Sequence, residues 1–73
     1  MQDDHVYKII ELAGTSKVSI EDAIQTALAR AHQTVRHMRW FEVMQLRGHV
    51  ANGAVEHYQV MLRVAFTMEG HVS

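Results

Sequence analysis

The chain has 73 residues, no cysteine, a hydrophobic share of 48% and a formal net charge of −1; that size allows one domain with a thin core and excludes disulfide stapling. The near-neutral balance lacks the basic excess that nucleic-acid binding needs, and there is no C-x-x-C or H-E-x-x-H spacing for zinc. No apolar run reaches membrane-spanning length, and the start Met1-Gln2-Asp3-Asp4 is acidic, unlike a secretory signal, so the expectation is one cytoplasmic domain over residues 1–73, ordered from about 5 to 69.

Residues 5–13, His-Val-Tyr-Lys-Ile-Ile-Glu-Leu-Ala, are rich in β-branched and aromatic residues and read as a strand, which Gly14-Thr15-Ser16 should break. Ser19 is placed to accept the amide of Asp22 and start a helix, with Glu21 and Asp22 at the positive end of its dipole. Ile20, Ala23/Ile24, Ala27/Leu28, Ala31, Val35 and Met38 recur at helical spacing, predicting one apolar stripe to about residue 38. Arg36, His37 and Arg39 supply cations near that end.

A second strand is predicted from Trp40 to about Val50. Ala51-Asn52-Gly53-Ala54 signals a hairpin, since Asn and Gly tolerate positive φ. The third strand, about Val55 to Glu69, alternates cleanly: Tyr58, Val60, Leu62, Val64, Phe66 and Met68 face the helix, while His57, Gln59, Met61, Arg63, Ala65 and Thr67 face away.

Pairing around Asn52-Gly53 sets Val43 opposite Leu62 and Phe41 opposite Val64, facing inward. Glu42 then meets Arg63 and Trp40 meets Ala65, facing outward, with Glu42–Arg63 expected as a cross-strand ion pair. Nearer the turn this register turns Leu46 out and Arg47 in. One extra residue near Met44–Leu46, a β-bulge, repairs it and sets Arg47 opposite Gln59 and His49 opposite His57.

The fold class that emerges is α+β: a single helix on a three-stranded antiparallel sheet in the order β-α-β-β. Its other sheet face carries Trp40 and Met61 beside polar groups and needs a cover, so oligomerisation is the expected stabiliser. An isolated tryptophan ordinarily packs in a core, but outward parity argues against that here. Gln59 alone would be an ordinary solvated residue; with Trp40 on the same face it suits a flat aromatic ligand with a hydrogen-bonding edge. The six histidines lack metal-site spacing, because His32 and His37 are five apart on the helix and His49 with His57 lacks a third ligand.

The stretches Tyr7-Lys8-Ile9-Ile10-Glu11-Leu12, Gly14-Thr15-Ser16, Ala23-Ile24-Gln25, Ala29-Arg30-Ala31, Trp40-Phe41-Glu42-Val43, Arg47-Gly48, Gly53-Ala54-Val55, Tyr58-Gln59-Val60 and Val64-Ala65-Phe66 resemble, in order and spacing, the dodecins. The resemblance implies a hollow homododecamer that stores and sequesters flavin, FMN or a riboflavin-type relative, and no catalysis. It implies that flavin pairs stack between the tryptophans of two subunits at a two-fold interface. The family's tryptophan falls on Trp40, its glutamine, which reads the polar edge of the flavin ring, on Gln59, and a bacterial arginine near the site on Arg47. Coenzyme A binding at three-fold contacts of some bacterial members maps onto no particular residue here. Arg47 has a second reading, as an intersubunit ion-pair partner. A purely structural assembly without flavin is the alternative function. A flavin enzyme lacks a nucleophile–base pair, and a single-stranded nucleic-acid platform lacks a basic groove.

Overall fold

A computed structural model describes residues 6–68; His5, His71 and the predicted limit of the third strand, Glu69, lie outside the described residues. Strand β1 spans Tyr7–Ser16, helix α1 Ile20–His32, strand β2 Met38–Ala51 and strand β3 Ala54–Thr67. The sheet order is β1-β3-β2, with both outer strands antiparallel to β3. The β-α-β-β arrangement is the one expected. Composition patterning could not reveal that the last strand runs down the middle.

Gly14 does not break the first strand, which continues to Ser16. A Cβ on Gly14 would stand 2.4 Å from the Ala23 carbonyl oxygen and 2.9 Å from the Ala27 Cβ. Gly14 is therefore the seat on which the helix lies, not a turn residue. The helix presents a matching small-residue face, Ala23, Ala27 and Ala31 all being buried. With Val60, Leu62 and Val64 of β3, Ala23 and Ala27 form the core, flanked by Ile10, Leu12, Ile24, Leu28 and Met38.

Ser19 caps the helix as expected, its hydroxyl accepting the Asp22 amide at 3.0 Å. Ser16 reinforces this: its Oγ donates to Asp22 Oδ2 at 2.6 Å and accepts the Val18 amide at 2.9 Å. The helix ends at His32, six residues short of the predicted limit. Thr34 and Val35 still donate to the Ala31 carbonyl, at 3.0 and 2.8 Å. His37 then turns the chain at φ +63°, a left-handed conformation unfavourable for a side chain with a Cβ. The apolar stripe therefore continued past the end of the helix: Met38 reaches the core from the start of a strand.

Asn52 and Gly53 both have positive φ, 54° and 76°, which suits the tight two-residue hairpin. The expected bulge sits at Met44, between the pairs Val43–Leu62 and Gln45–Met61, and restores Arg47 opposite Gln59 and His49 opposite His57. Two further irregularities were not anticipated, at Arg39 and at Glu56.

Helix α1 packs on β1 and β3. The helix-side residues of β2 are therefore not interior as expected, and Phe41, Val43 and Leu46 are 44, 44 and 51% exposed.

Candidate functional site

Two residues apart on a regular strand, Met38 and Trp40 would share a face. The register shift at Arg39 separates them: Met38 pairs with Phe66 and Trp40 with Ala65. Met38 joins the core cluster. Trp40 goes to the sheet face without a helix, where it remains 47% exposed. A single extra residue therefore aims the indole.

On that face Trp40 meets Tyr7, whose ring centroid lies 6.1 Å away at an interplanar angle of 60°. Between their strands stands Ala65, fully buried although outside the core cluster beneath the helix. Farther along, Gln59 is half-buried, with Arg47 as its register partner on β2 and Thr15 on β1. The Arg47 guanidinium donates to Gln45 Oε1 at 2.6 Å. Arg47 is thus tethered to its own strand, and among the described residues the Gln59 carboxamide has no side-chain partner.

The structure brings Arg47 and Gln59 together but holds Trp40 apart. Gln59 and Ala65, the partner of Trp40, are six residues apart on β3, which corresponds to about 20 Å on an extended strand. A pocket of about 430 Å³ lies along the strands between these two ends, lined by residues 11–13 of β1, Met44 and Gln45 of β2, and Met61 and Leu62 of β3. A smaller one of about 240 Å³ is lined by Arg39, Trp40 and Phe41 together with the core-side residues Leu28, Met38 and Val64.

Charge on this face is arranged otherwise than expected. Arg63 Nε lies 3.5 Å from Glu11 Oε2, so Arg63 pairs with β1, while Glu42, its register partner, remains outside that ion pair. The exposure of both partners leaves the bridge worth little in stability. His49 and His57 stack at 4.2 Å and 20°, and His57 Nδ1 stands 4.0 Å from Glu56 Oε1. No group of three His, Asp or Glu side chains suited to a metal occurs among the described residues. No helix among them is long and apolar enough to cross a membrane.

Tyr7, Glu11 and Gln45 are the site neighbours that sequence reasoning missed. Their alternation was visible, but which strand lay beside which was not.

The Dodecin family pattern matches residues 6–69. The chain belongs to the dodecin family. A dodecin of Thermus thermophilus is 53% identical over 64 residues, covering 88% of this chain and 93% of that protein. The calcium dodecin of Mycobacterium tuberculosis is 35% identical over 63 residues, covering 86% and 89%. The crystal structure of the T. thermophilus tt0972 protein superposes with a TM-score of 0.88 at 50% identity, covering 93% of this chain and all of that one. T. thermophilus dodecin has also been solved with its tryptophan changed to phenylalanine and with either of two arginines changed to alanine. Dodecins are non-enzymatic binding proteins that typically take up flavins, and they are oligomeric.

Proposed function

We propose that this dodecin binds and stores flavin, FMN or a close relative, at a site completed only when two subunits meet. The observation that carries the reading is the half-exposed indole of Trp40 on a sheet face without a helix in a chain of this family. Isoalloxazine is flat and aromatic, and indole offers a broad stacking surface. Gln59 supplies a donor and an acceptor for the pyrimidine edge, and its carboxamide has no competing side-chain partner among the described residues.

The separation of Trp40 and Gln59 along β3 supports a site shared between subunits. Their backbones stand farther apart than an isoalloxazine is long, which supports a site in which Trp40 of one subunit works with Gln59 of another. A two-fold axis over the middle of the face, near Met61 and Arg63, brings each indole toward the other subunit's carboxamide. Such an isologous contact also covers the exposed face. The family implies a dodecamer as the closed form of that assembly.

Arg47 stands opposite Gln59 and is proposed to steady the flavin's polar end or its phosphate. The substituted tryptophan and one substituted arginine of T. thermophilus dodecin are seven positions apart, the spacing of Trp40 and Arg47 here. The other arginine falls twenty positions farther on, where this chain has Thr67. Coenzyme A enters only through the resemblance, and no residue set of this chain carries it.

FMN titration of the apoprotein tests the reading. Flavin fluorescence should fall on saturation, because stacked indole donates an electron to the excited ring, and flavin absorbance should co-elute with the oligomer. Undiminished flavin fluorescence at saturating protein, with no co-elution, overturns it in favour of a purely structural assembly.

A further inference from the structure

We propose that Tyr7 is a positioning residue for the Trp40 indole, and that alanine at position 65 provides the clearance that lets the two rings meet. The proposal rests on the flavin reading above, in which Trp40 is the stacking surface. Tyr7 and Trp40 belong to β1 and β2, the two outer strands, with β3 between them. Two strand spacings amount to roughly 10 Å, yet the ring centroids are 6.1 Å apart. Nor are the two residues level, since Tyr7 pairs with Thr67 and Trp40 with Ala65. Both side chains therefore lean inward over the central strand. The complete burial of Ala65, on a face without a helix, is the footprint of that lean.

An indole standing alone on an outer strand samples several rotamers, and a ligand that stacks on it must first restrict them. Contact with Tyr7, inside the range of aromatic pairs and near the edge-to-face arrangement, does that restricting beforehand. The contact comes from ring shape and needs no hydroxyl, so phenylalanine at 7 preserves it and alanine does not. A valine at 65 places two methyl groups where the rings converge and forces them apart even with Tyr7 present.

The test compares wild type, Tyr7→Phe, Tyr7→Ala and Ala65→Val in three measurements: FMN titration, Trp40 fluorescence anisotropy and near-ultraviolet circular dichroism of the apoprotein, and light scattering for assembly. Trp40 is the only tryptophan, so its emission reports this site alone. Tyr7→Phe should keep the wild-type Trp40 anisotropy, because the ring contact is retained. Tyr7→Ala and Ala65→Val should assemble normally, lower the Trp40 anisotropy and weaken FMN binding by about two- to tenfold, the range of one aromatic contact.

Wild-type FMN affinity or unchanged Trp40 anisotropy in Tyr7→Ala overturns the positioning role. Should Tyr7→Ala fail to assemble, Ala65→Val carries the test, and loss of assembly in both marks the contact as structural and also overturns it. A wild-type protein that takes up no FMN is a different failure: it overturns the flavin reading, whereas the anisotropy judges the ring contact separately.

Discussion

Trp40 owes its orientation to Arg39, the extra residue of a bulge, and owes its use to what surrounds it. Exposure of a large indole is costly unless something covers it, and in the flavin reading the cover is the ligand. Trp40→Ala should therefore weaken FMN binding by about tenfold or more and abolish quenching, while Trp40→Phe loses less because a smaller ring still stacks. Equal FMN affinity in wild type and Trp40→Ala, by titration, contradicts the assignment. Gln59 makes a different demand. Replacing it with leucine leaves polar flavin atoms unpaired in a partly dry site, a loss of about 1–3 kcal/mol. Arg47→Ala should lose less, since its guanidinium is exposed and already engaged by Gln45. Titrating both variants under the same conditions decides the order, and a greater loss in Arg47→Ala reverses the roles given to these residues.

The helix and the first strand meet through absence of bulk. Ala23 and Ala27 approach Gly14 so closely that a single methyl group there would collide with backbone as well as side chain. Gly14→Ala is accordingly expected to destabilise the subunit by about 1–3 kcal/mol, the usual cost of overpacking. Chemical denaturation monitored by circular dichroism checks this, and a midpoint unchanged from wild type contradicts the close seat. The second strand shows the opposite arrangement. Its helix-side residues Phe41, Val43 and Leu46 remain exposed because one short helix covers only two of three strands.

As a whole the subunit is long and thin, 57 × 21 × 14 Å, with a radius of gyration of 15.4 Å. A compact chain of this length would have about 11 Å. Both faces of β2 thus lack cover within one subunit, which a closed oligomer of the kind proposed above would supply. Val43→Asp, on the helix side of β2 and away from Trp40, should reduce the oligomer to smaller species in light scattering without a direct effect on the stacking surface. An assembly of unchanged mass would show that this side of β2 is not a subunit contact.

Much of this was written in local patterns. Alternation along the third strand identified its buried face, and Asn52-Gly53 set the hairpin and hence the pairing of Arg47 with Gln59. The conflict between that register and the apolar residues near Leu46 called for a bulge, found at Met44. Those features depend on neighbours in sequence or across one tight turn. The helix ends at His32, short of its apolar stripe, which Val35 and Met38 fit equally well from a turn and a strand. The placement of β3 between β1 and β2, the pairing of Arg63 with Glu11 and the contact of Tyr7 with Trp40 arise between segments far apart in the chain. Periodicity records which way a side chain points but not what stands beside it, and only the packing of helix and sheet settles that.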